Sequence, residues 1–174
     1  MNKTAAYIKT VGKIIQELDK LGSTPILIGG MALVILGSQR VTKDFDFLLS
    51  EKVRSQKELV AIFYKHGFEL ASKIDKLGHI TNTIDNPRVA SVRIRLDVPE
   101  SIHFLNRKTG LQIDLLFDFP LPADTLFSHA QRQTIQSYVF YIASKEDLLR
   151  LKAIARSRRK SAGDAQDLEF LKTL

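Results

Sequence analysis

Two aspartates, Asp44 and Asp46, stand one residue apart in the segment Lys43-Asp44-Phe45-Asp46-Phe47. Because the side chains of a β-strand alternate between faces, both carboxylates point to one side of the predicted strand, while Phe45 and Phe47 point into the core. Two neighbouring carboxylates repel each other and cost stability unless a cation holds them. Carboxylate oxygens at this spacing suit Mg²⁺ or Mn²⁺. The pair therefore predicts a metal site.

A glycine pair lies just upstream, between a strand predicted at Ile26–Ile28 and an apolar helix predicted at Met31–Leu36. Glycine lets the backbone take positive φ or come close to a ligand, and the N–H groups that open a helix attract phosphate. Gly29 and Gly30 thus predict phosphate binding beside the aspartates. The combination indicates a metal-dependent enzyme that handles nucleoside triphosphates.

A third acid, Asp114, lies in the middle of the apolar strand predicted at Leu111–Phe117. A carboxylate in such a place is costly unless it is used or paired. Asp114 either completes the metal site of the aspartate pair, which is the preferred interpretation, or lies at a barrel-like rim or in a salt bridge to Arg93 or Arg95. Asp118, near the end of the same strand and on the same face, is the alternative third acid.

Basic side chains accompany these acids. Arg40 and Lys43 lie in the loop before the aspartate pair, where they either pair with the acids or contact substrate phosphates. Arg93 and Arg95 alternate with apolar residues, which predicts a strand over Val89–Leu96. Both arginines would then lie on one face of that strand.

The composition of the chain limits the classes of protein to which it can belong. The chain has 174 residues, 44% of them hydrophobic, which is enough for one compact domain with its own core. It has no cysteine, which excludes disulfides, Cys-ligated zinc and thiol catalysis. The formal net charge of +7 favours polyanionic partners. The four histidines are scattered without ligand spacing and are interpreted as structural or surface residues: His66, His79, His103 and His129.

No targeting or membrane segment is predicted. The N-terminus lacks the apolar core of a signal peptide, and the longest apolar run, Met31 to Leu36, is too short to cross a bilayer. A cytoplasmic protein without membrane contact is expected.

The elements that position these residues alternate between helix and strand. Helices are predicted at Thr4–Leu21, Val53–His66, Ala123–Ala130, from Ser144 onward, and at 162–171; further strands at Ile102–Leu105 and Ile135–Ile142; and mostly irregular structure with one short strand over Phe68–Asn86. The pattern predicts an α/β (α+β) domain with a mixed sheet flanked by helices. Residues 1–142 would form the core, and residues 143–174 a C-terminal helical pair packed on it.

These motifs, in this order, resemble the nucleotidyltransferase superfamily with the DNA polymerase β-type fold. The resemblance is carried by Gly29-Gly30, by Arg40-Val41-Thr42-Lys43-Asp44-Phe45-Asp46-Phe47 and by Ile113-Asp114-Leu115. The Arg-x-Thr-x-Asp-x-Asp form looks most like the AbiEii branch, which includes nucleotidyltransferase toxins of type IV toxin–antitoxin systems. That branch also has a helical lysine, a basic stretch and an Asp-x-x-Asp helix, matched here by Lys152, by Arg158-Arg159-Lys160 and by Asp164 with Asp167.

The resemblance implies transfer of a nucleoside monophosphate from a triphosphate to a hydroxyl, with Asp44, Asp46 and Asp114 as ligands of Mg²⁺ or Mn²⁺. Lys152 would act on the charge that builds on the leaving group. Nucleotide contacts are implied for Gly29, Gly30, Arg40, Thr42, Arg93, Arg95, Asp164 and Asp167. The last two either orient Lys152 and arginines or form a solvated acidic face.

Several partners and roles stay open. The acceptor could be an RNA such as tRNA, a protein or a small molecule, and a toxin would have an antitoxin protein as its partner. One alternative is a catalytically inactive nucleotide- or RNA-binding module with the same fold. Another is a basic nucleic-acid-binding or antitoxin-like protein that uses the run Arg156–Lys160 for binding.

Overall fold

Helices and strands alternate along the chain in the computed structural model, which describes residues 3–53, 55–158 and 162–174. The helices are α1 (Lys3–Asp19), α2 (Gly29–Ile35), α3 (Gln56–Lys65), α4 (Pro87–Arg93), α5 (Ala123–His129), α6 (Lys145–Arg158) and α7 (Ala162–Thr173). The strands are β1 (Ile26–Ile28), β2 (Phe45–Leu49), β3 (Glu69–Ile74), β4 (Ile80–Ile84), β5 (Ile102–Leu105), β6 (Gln112–Phe117), β7 (Gln131–Ile135) and β8 (Tyr138–Ile142).

All these strands belong to one mixed sheet with the order β4-β3-β5-β6-β2-β1-β8-β7. Strand β2 pairs with β1 antiparallel and with β6 parallel, and β1 pairs with β8 parallel. Strand β2, which carries Asp46 and begins directly after Asp44, is therefore central. The α/β (α+β) prediction, with a mixed sheet and a C-terminal helical pair, is confirmed.

The core forms where the alternation of β2 predicts it. Phe45 and Phe47 are almost completely buried and their rings stack, whereas Asp46 between them is only half-buried. Helix α1 buries one apolar stripe, including Ile14 and Leu18, and packs against β8 and α3. Burial of large side chains of this kind stabilises a fold by about 1.5–3 kcal/mol each. The core thus fixes β2 from one side and leaves the acids on the other.

The segment Val89–Leu96 is not a strand, so that prediction is wrong. Residues Pro87–Arg93 form helix α4, because Asn86 caps it with hydrogen bonds from the Arg88 and Val89 amides, and Pro87 occupies its first turn. These are strong helix-start signals. They outweigh the alternation of apolar and polar residues that suggested a strand.

Two other segments contain more strand than predicted. Residues between Phe68 and Asn86 form the hairpin β3–β4. Asp75 stabilises its turn, because the Asp75 side chain accepts hydrogen bonds from the Leu77 and His79 amides. The single strand predicted at Ile135–Ile142 is instead the end of β7, a turn and β8. Its turn residues Gln136 and Ser137 both have positive φ, which no glycine signals in the sequence.

The C-terminal pair matches the prediction. Helix α6 begins after Ser144, whose hydroxyl accepts a hydrogen bond from the Asp147 amide, and α7 packs against α6 and α2. The basic run proposed for nucleic-acid binding extends outside the described residues at Arg159 and Lys160. Among the described residues, no helix is both long enough and apolar enough to cross a membrane.

Candidate active site

One row of residues crosses four neighbouring strands. His103 on β5 is registered with Asp114 on β6, Asp114 with Asp46 on β2, and Asp46 with Ile28 on β1. Neighbouring strands lie about 4.8 Å apart, so sheet pairing alone brings these positions together. The row ends at Gly29, where β1 passes into α2. The sequence places these groups far apart, and the parallel β2–β6 pairing makes them one site.

The carboxylates of the row repel one another in a partly desolvated place. Burial raises the pKa of Asp46 to about 7, and the charges of Asp114 and Asp44 reinforce the shift. Burial likewise raises the pKa of Asp44, again with a contribution from Asp114. Both shifts follow from placing like charges where water screens them poorly. The site is thus poised to gain from a bound cation.

Asp114 is held from the side of β5. Its Oδ1 atom lies 2.6 Å from Nδ1 of His103 and accepts a hydrogen bond of 2.8 Å from Nε2 of the Gln112 side chain. Neither Arg93 nor Arg95 pairs with Asp114, so the salt-bridge interpretation is wrong. Its partner is a histidine directly opposite on the antiparallel neighbour.

His103 is a site residue that sequence reasoning missed. Burial alone would lower the pKa of His103, but the hydrogen bond and charge of Asp114 outweigh it and raise the pKa. Among the other histidines, His66 contacts Glu17 and His129 contacts Asp147, both away from the row. No spacing in the sequence marks His103, since its partner lies across the strand pair. Counting back from Asp114 through the Asn106–Gly110 hairpin would have found it.

Asp118 serves the fold. Its carboxylate accepts hydrogen bonds from the Glu51 amide and the Ala123 amide, each at 2.8 Å. It thereby joins the ends of β2 and β6 to the start of α5. The structure therefore favours Asp114 over Asp118 as the third acid of the site.

Gly29 has two reasons to be glycine. Its φ is +71°, and a Cβ atom built on it would stand 2.3 Å from Oδ2 of Asp46. Any side chain there would displace the Asp46 carboxylate. Gly30 is similarly close to a cation, because its Cβ would lie 2.9 Å from Nη1 of Arg40. The Ile28 N-cap offers no side-chain acceptor to the first turn of α2.

A buried ionic network joins this region to the C-terminal helices. Lys152 Nζ lies 3.1 Å from Oδ1 of Asp164 and 2.7 Å from Oδ2 of Asp167, and Arg40 also donates to Asp167. Both aspartates are almost fully buried. They orient Lys152 and Arg40, as one interpretation held, and the solvated acidic face is wrong.

The network and the row border one cleft of about 490 Å³. Most of the predicted site residues line it: Gly29, Gly30, Arg40, Thr42, Asp44, Asp46, Asp114 and Lys152. Asp164 and Asp167 stand behind its wall and act through Lys152 and Arg40. Arg93 and Arg95 do not line the cleft, because α4 carries this segment to a neighbouring groove. His103 lines both depressions.

The donor chemistry of the cleft fits a hard divalent cation, although its ligands are not preassembled. In the described parts of the chain, no three acidic or histidine side chains form a ready-made metal-ligand cluster. Asp44, Asp46 and Asp114 nevertheless supply carboxylate oxygens at one place. Burial, and after it the charges of neighbouring aspartates, raise the pKa values of the first two, and a bound cation would offset both effects. These three are the side chains that would hold Mg²⁺ or Mn²⁺.

Several solved structures share this architecture. The chain matches ANT(2″)-Ia in complex with adenylyl-2″-tobramycin with a TM-score of 0.60 and 13% identity, over 97% of this chain and 88% of that chain. It matches lincomycin-bound LnuA, a lincosamide antibiotic adenylyltransferase, with a TM-score of 0.58 and 12% identity, over 94% of this chain and 95% of that chain. It matches an antigenic nucleotidyltransferase-like protein from Paracoccidioides brasiliensis with a TM-score of 0.57 and 18% identity, over 95% of this chain and 74% of that chain.

No protein-family model matches the sequence, and no curated protein matches it either. Sequence identities this low support a shared fold and nothing more. The resemblance to the AbiEii branch therefore stays a prediction. The chain has the nucleotidyltransferase fold.

Proposed function

We propose that this protein is a metal-dependent nucleotidyltransferase, which transfers a nucleoside monophosphate from a nucleoside triphosphate to a hydroxyl of an acceptor. The observation that carries the proposal is the convergence of Asp44, Asp46 and Asp114 on one cleft, beside Gly29, within a nucleotidyltransferase fold. The fold alone hosts different activities, so the weight lies on the residues of the site.

In the proposed reaction, the acceptor hydroxyl gives its proton to solvent water, and its oxygen forms a bond to the α-phosphorus. The bond between the α- and β-phosphates breaks, and pyrophosphate leaves with the bonding electrons. Mg²⁺ or Mn²⁺ bound to the three carboxylates would supply charge neutralisation and lower the pKa of the acceptor hydroxyl. Because Gly29 and Gly30 have no side chains, the Asp46 carboxylate and the Arg40 guanidinium lie close against this backbone, which puts a metal ligand and a cation side by side where the triphosphate would bind.

The two cations of the cleft have different exposure. The Arg40 side chain is 28% exposed and that of Lys152 only 10%, with its Nζ held by both Asp164 and Asp167. We therefore assign the phosphate contact to Arg40 first, because it can reach a ligand without leaving its partner. Lys152 is assigned the role of fixing the cleft wall and adding positive potential to it.

The acceptor and the biological role are further parts of this proposal. The complexes of ANT(2″)-Ia and LnuA contain an adenylylated antibiotic and an antibiotic, so a small-molecule acceptor has precedent in the fold. An RNA acceptor agrees with the net charge of +7. A toxin role predicts growth arrest on expression, relieved by a cognate antitoxin protein, and a harmless wild-type protein would argue against it.

The first test is thermal unfolding with each nucleoside triphosphate, with and without Mg²⁺. A ligand that binds only the native state raises the midpoint by mass action. We expect a Mg²⁺-dependent rise in the wild type, none in Asp46→Asn, and an unchanged rise in Asp124→Asn, an exposed acid on α5 that serves as control. No rise with any nucleotide in the wild type would overturn the proposal.

A second measurement separates catalysis from binding. The triphosphate that gives the largest shift, labelled at its α-phosphate, is incubated with candidate acceptors and Mg²⁺. Transfer of label by the wild type and not by Asp46→Asn supports nucleotidyl transfer. Binding without transfer to any acceptor class would favour the inactive nucleotide-binding module.

A further inference from the structure

A second depression opens beside the cleft. This lateral groove, of about 390 Å³, runs between β3 and the segment from the end of α4 to the start of β5. It shares Ser101 and His103 with the cleft. His103 is hydrogen-bonded to Asp114, so only this one side chain separates the groove from the acids of the row. A ligand lying in the groove would have its end at the proposed site of chemistry.

The lateral groove has an apolar floor and charged walls. Leu70, Ile94 and Ile102 are buried aliphatic residues of the floor. Lys73, Arg93, Arg95 and Glu100 are the exposed charged residues of its walls, three cations against one acid. The apolar face of a base can lie on such a floor, and a positively charged groove follows the phosphates of a single strand.

The cations are not equivalent. Arg95 donates two hydrogen bonds of 2.9 Å to Asp97, so its charge is already matched. For Arg93 and Lys73, no acidic partner lies within salt-bridge distance in the described parts of the chain. These two side chains are therefore the ones free to pair with an anionic ligand, and Glu100 is the acid that opposes it.

We propose that the lateral groove binds the acceptor and that the acceptor is the end of a single-stranded polynucleotide, with phosphates at Arg93 and Lys73. The step from binding to transfer rests on the proposed function, whereas the binding itself does not. A polycationic acceptor is disfavoured, because two unpaired cations would repel it. The aliphatic floor offers no hydrogen-bond donor or acceptor to the edge of a base, so recognition there would be tolerant of base identity.

The test measures binding of a fluorescent single-stranded RNA of mixed sequence to the full chain, in EDTA and without triphosphate. Removing a phosphate contact weakens binding across sequences and lowers the salt slope by about 0.7 per contact for single strands. We expect Arg93→Ser and Lys73→Ser each to weaken binding roughly tenfold at low salt and to lower the slope in this way. Glu100→Gln should tighten binding.

Arg88→Ser is the matched control, because Arg88 is exposed on the same helix α4 but does not line the lateral groove. It should leave affinity unchanged. Equal loss in Arg88→Ser and Arg93→Ser, or looser binding in Glu100→Gln, would overturn the proposal by showing general attraction to a basic surface. Absence of RNA binding by the wild type would overturn it as well. A single-stranded DNA of the same sequence shows whether ribose hydroxyls contribute.

The outcomes keep this proposal apart from the proposed function. If the groove variants change RNA binding as expected but no triphosphate shifts the unfolding midpoint, RNA binding in the groove is supported and nucleotidyl transfer is contradicted. If label passes only to small neutral alcohols and Arg93→Ser leaves that rate unchanged, transfer stands and the groove proposal fails.

Discussion

Asp167 on the last helix is hydrogen-bonded to Arg40, which lies 127 positions earlier in the chain and lines the cleft beside Gly30. The same Asp167 carboxylate oxygen is 2.7 Å from Nζ of Lys152. One buried acid therefore positions two cations on one wall of the candidate active site. The C-terminal helical pair contributes to the site in this way, although none of its acids faces the cleft directly.

Replacing Asp167 by Asn should destabilise the protein strongly. The Asp167 side chain is fully buried, and its loss of charge leaves Arg40 and Lys152 with one acid fewer. Breaking a buried ion pair costs about 3–5 kcal/mol. Urea unfolding should therefore show a loss of about 3 kcal/mol or more in the free energy of unfolding, without a change in m.

The control for this change is Glu169→Gln. Glu169 lies on the same helix and pairs with Lys172, but its side chain is 77% exposed. An exposed substitution of this kind changes stability by about 0.5 kcal/mol or less. Similar losses for the two variants would show that the network contributes nothing special to the fold.

Local sequence patterns predicted the centre of the fold and much of the site. The β1–glycine–α2 unit, the alternation of Asp46 with the buried phenylalanines, and Asp114 on β6 all follow from periodicity of two residues and from turn signals. These features are local in the sequence. Burying a carboxylate costs free energy, so an aspartate within an apolar strand indicates a functional residue. The resemblance to the nucleotidyltransferase fold rested on the same positions.

The parts that failed depend on tertiary context or on weaker signals. His103 reaches Asp114 only through antiparallel pairing, which no spacing within one strand reveals. The hairpin β3–β4 lies at the sheet edge, where exposure on both faces removes the alternation that marks a strand. Helix α4 was predictable, since Asn86-Pro87 is a helix start, but a competing alternation was preferred. Because this segment was predicted as a strand, Arg93 was wrongly expected among the nucleotide contacts of the cleft, whereas it lies at the lateral groove.

Gly29→Ala should abolish the Mg²⁺-dependent response to triphosphate while the protein still folds. Positive φ costs an alanine roughly 1–2 kcal/mol, and its Cβ would in addition stand 2.3 Å from Oδ2 of Asp46. Gly78→Ala is the control, because Gly78 also has positive φ, +84°, but nothing lies within 4 Å of a Cβ there. Both variants should lose the stability that positive φ costs, and Gly29→Ala somewhat more because Asp46 must also move. Only Gly29→Ala should lose the ligand-induced shift. A normal shift in Gly29→Ala would contradict the role of the close approach to Asp46.

The metal-free protein should lose stability relative to Asp46→Asn as the pH rises from about 4 to about 7. The pKa of Asp46 is about 7 in the folded protein against an ordinary value of 3.8, so the folded state binds this proton more tightly than the unfolded chain. Where the native state binds more protons, stability falls with rising pH. The effect is complete above about pH 7.

This pH dependence is measured as the difference in unfolding free energy between Asp46→Asn and the wild type, in EDTA, across that range. The difference cancels the titration of the acids that do not interact with Asp46. It should grow in favour of the variant up to about pH 7 and shrink when Mg²⁺ is added, because the wild type alone gains from the cation. A difference that stays constant with pH would contradict the electrostatic account of the row.

His103→Ala should weaken the apparent affinity for Mg²⁺ without unfolding the protein. His103 fixes Oδ1 of Asp114 at 2.6 Å, and loss of a partner that orients a ligating carboxylate typically costs about 10- to 100-fold in metal affinity. The readout is the Mg²⁺ concentration that gives half of the triphosphate-induced shift in unfolding midpoint. His66→Ala is the matched control, because His66 also contacts a carboxylate, that of Glu17, but lies outside the cleft. If the two variants required the same Mg²⁺ concentration, His103 would have no part in positioning Asp114.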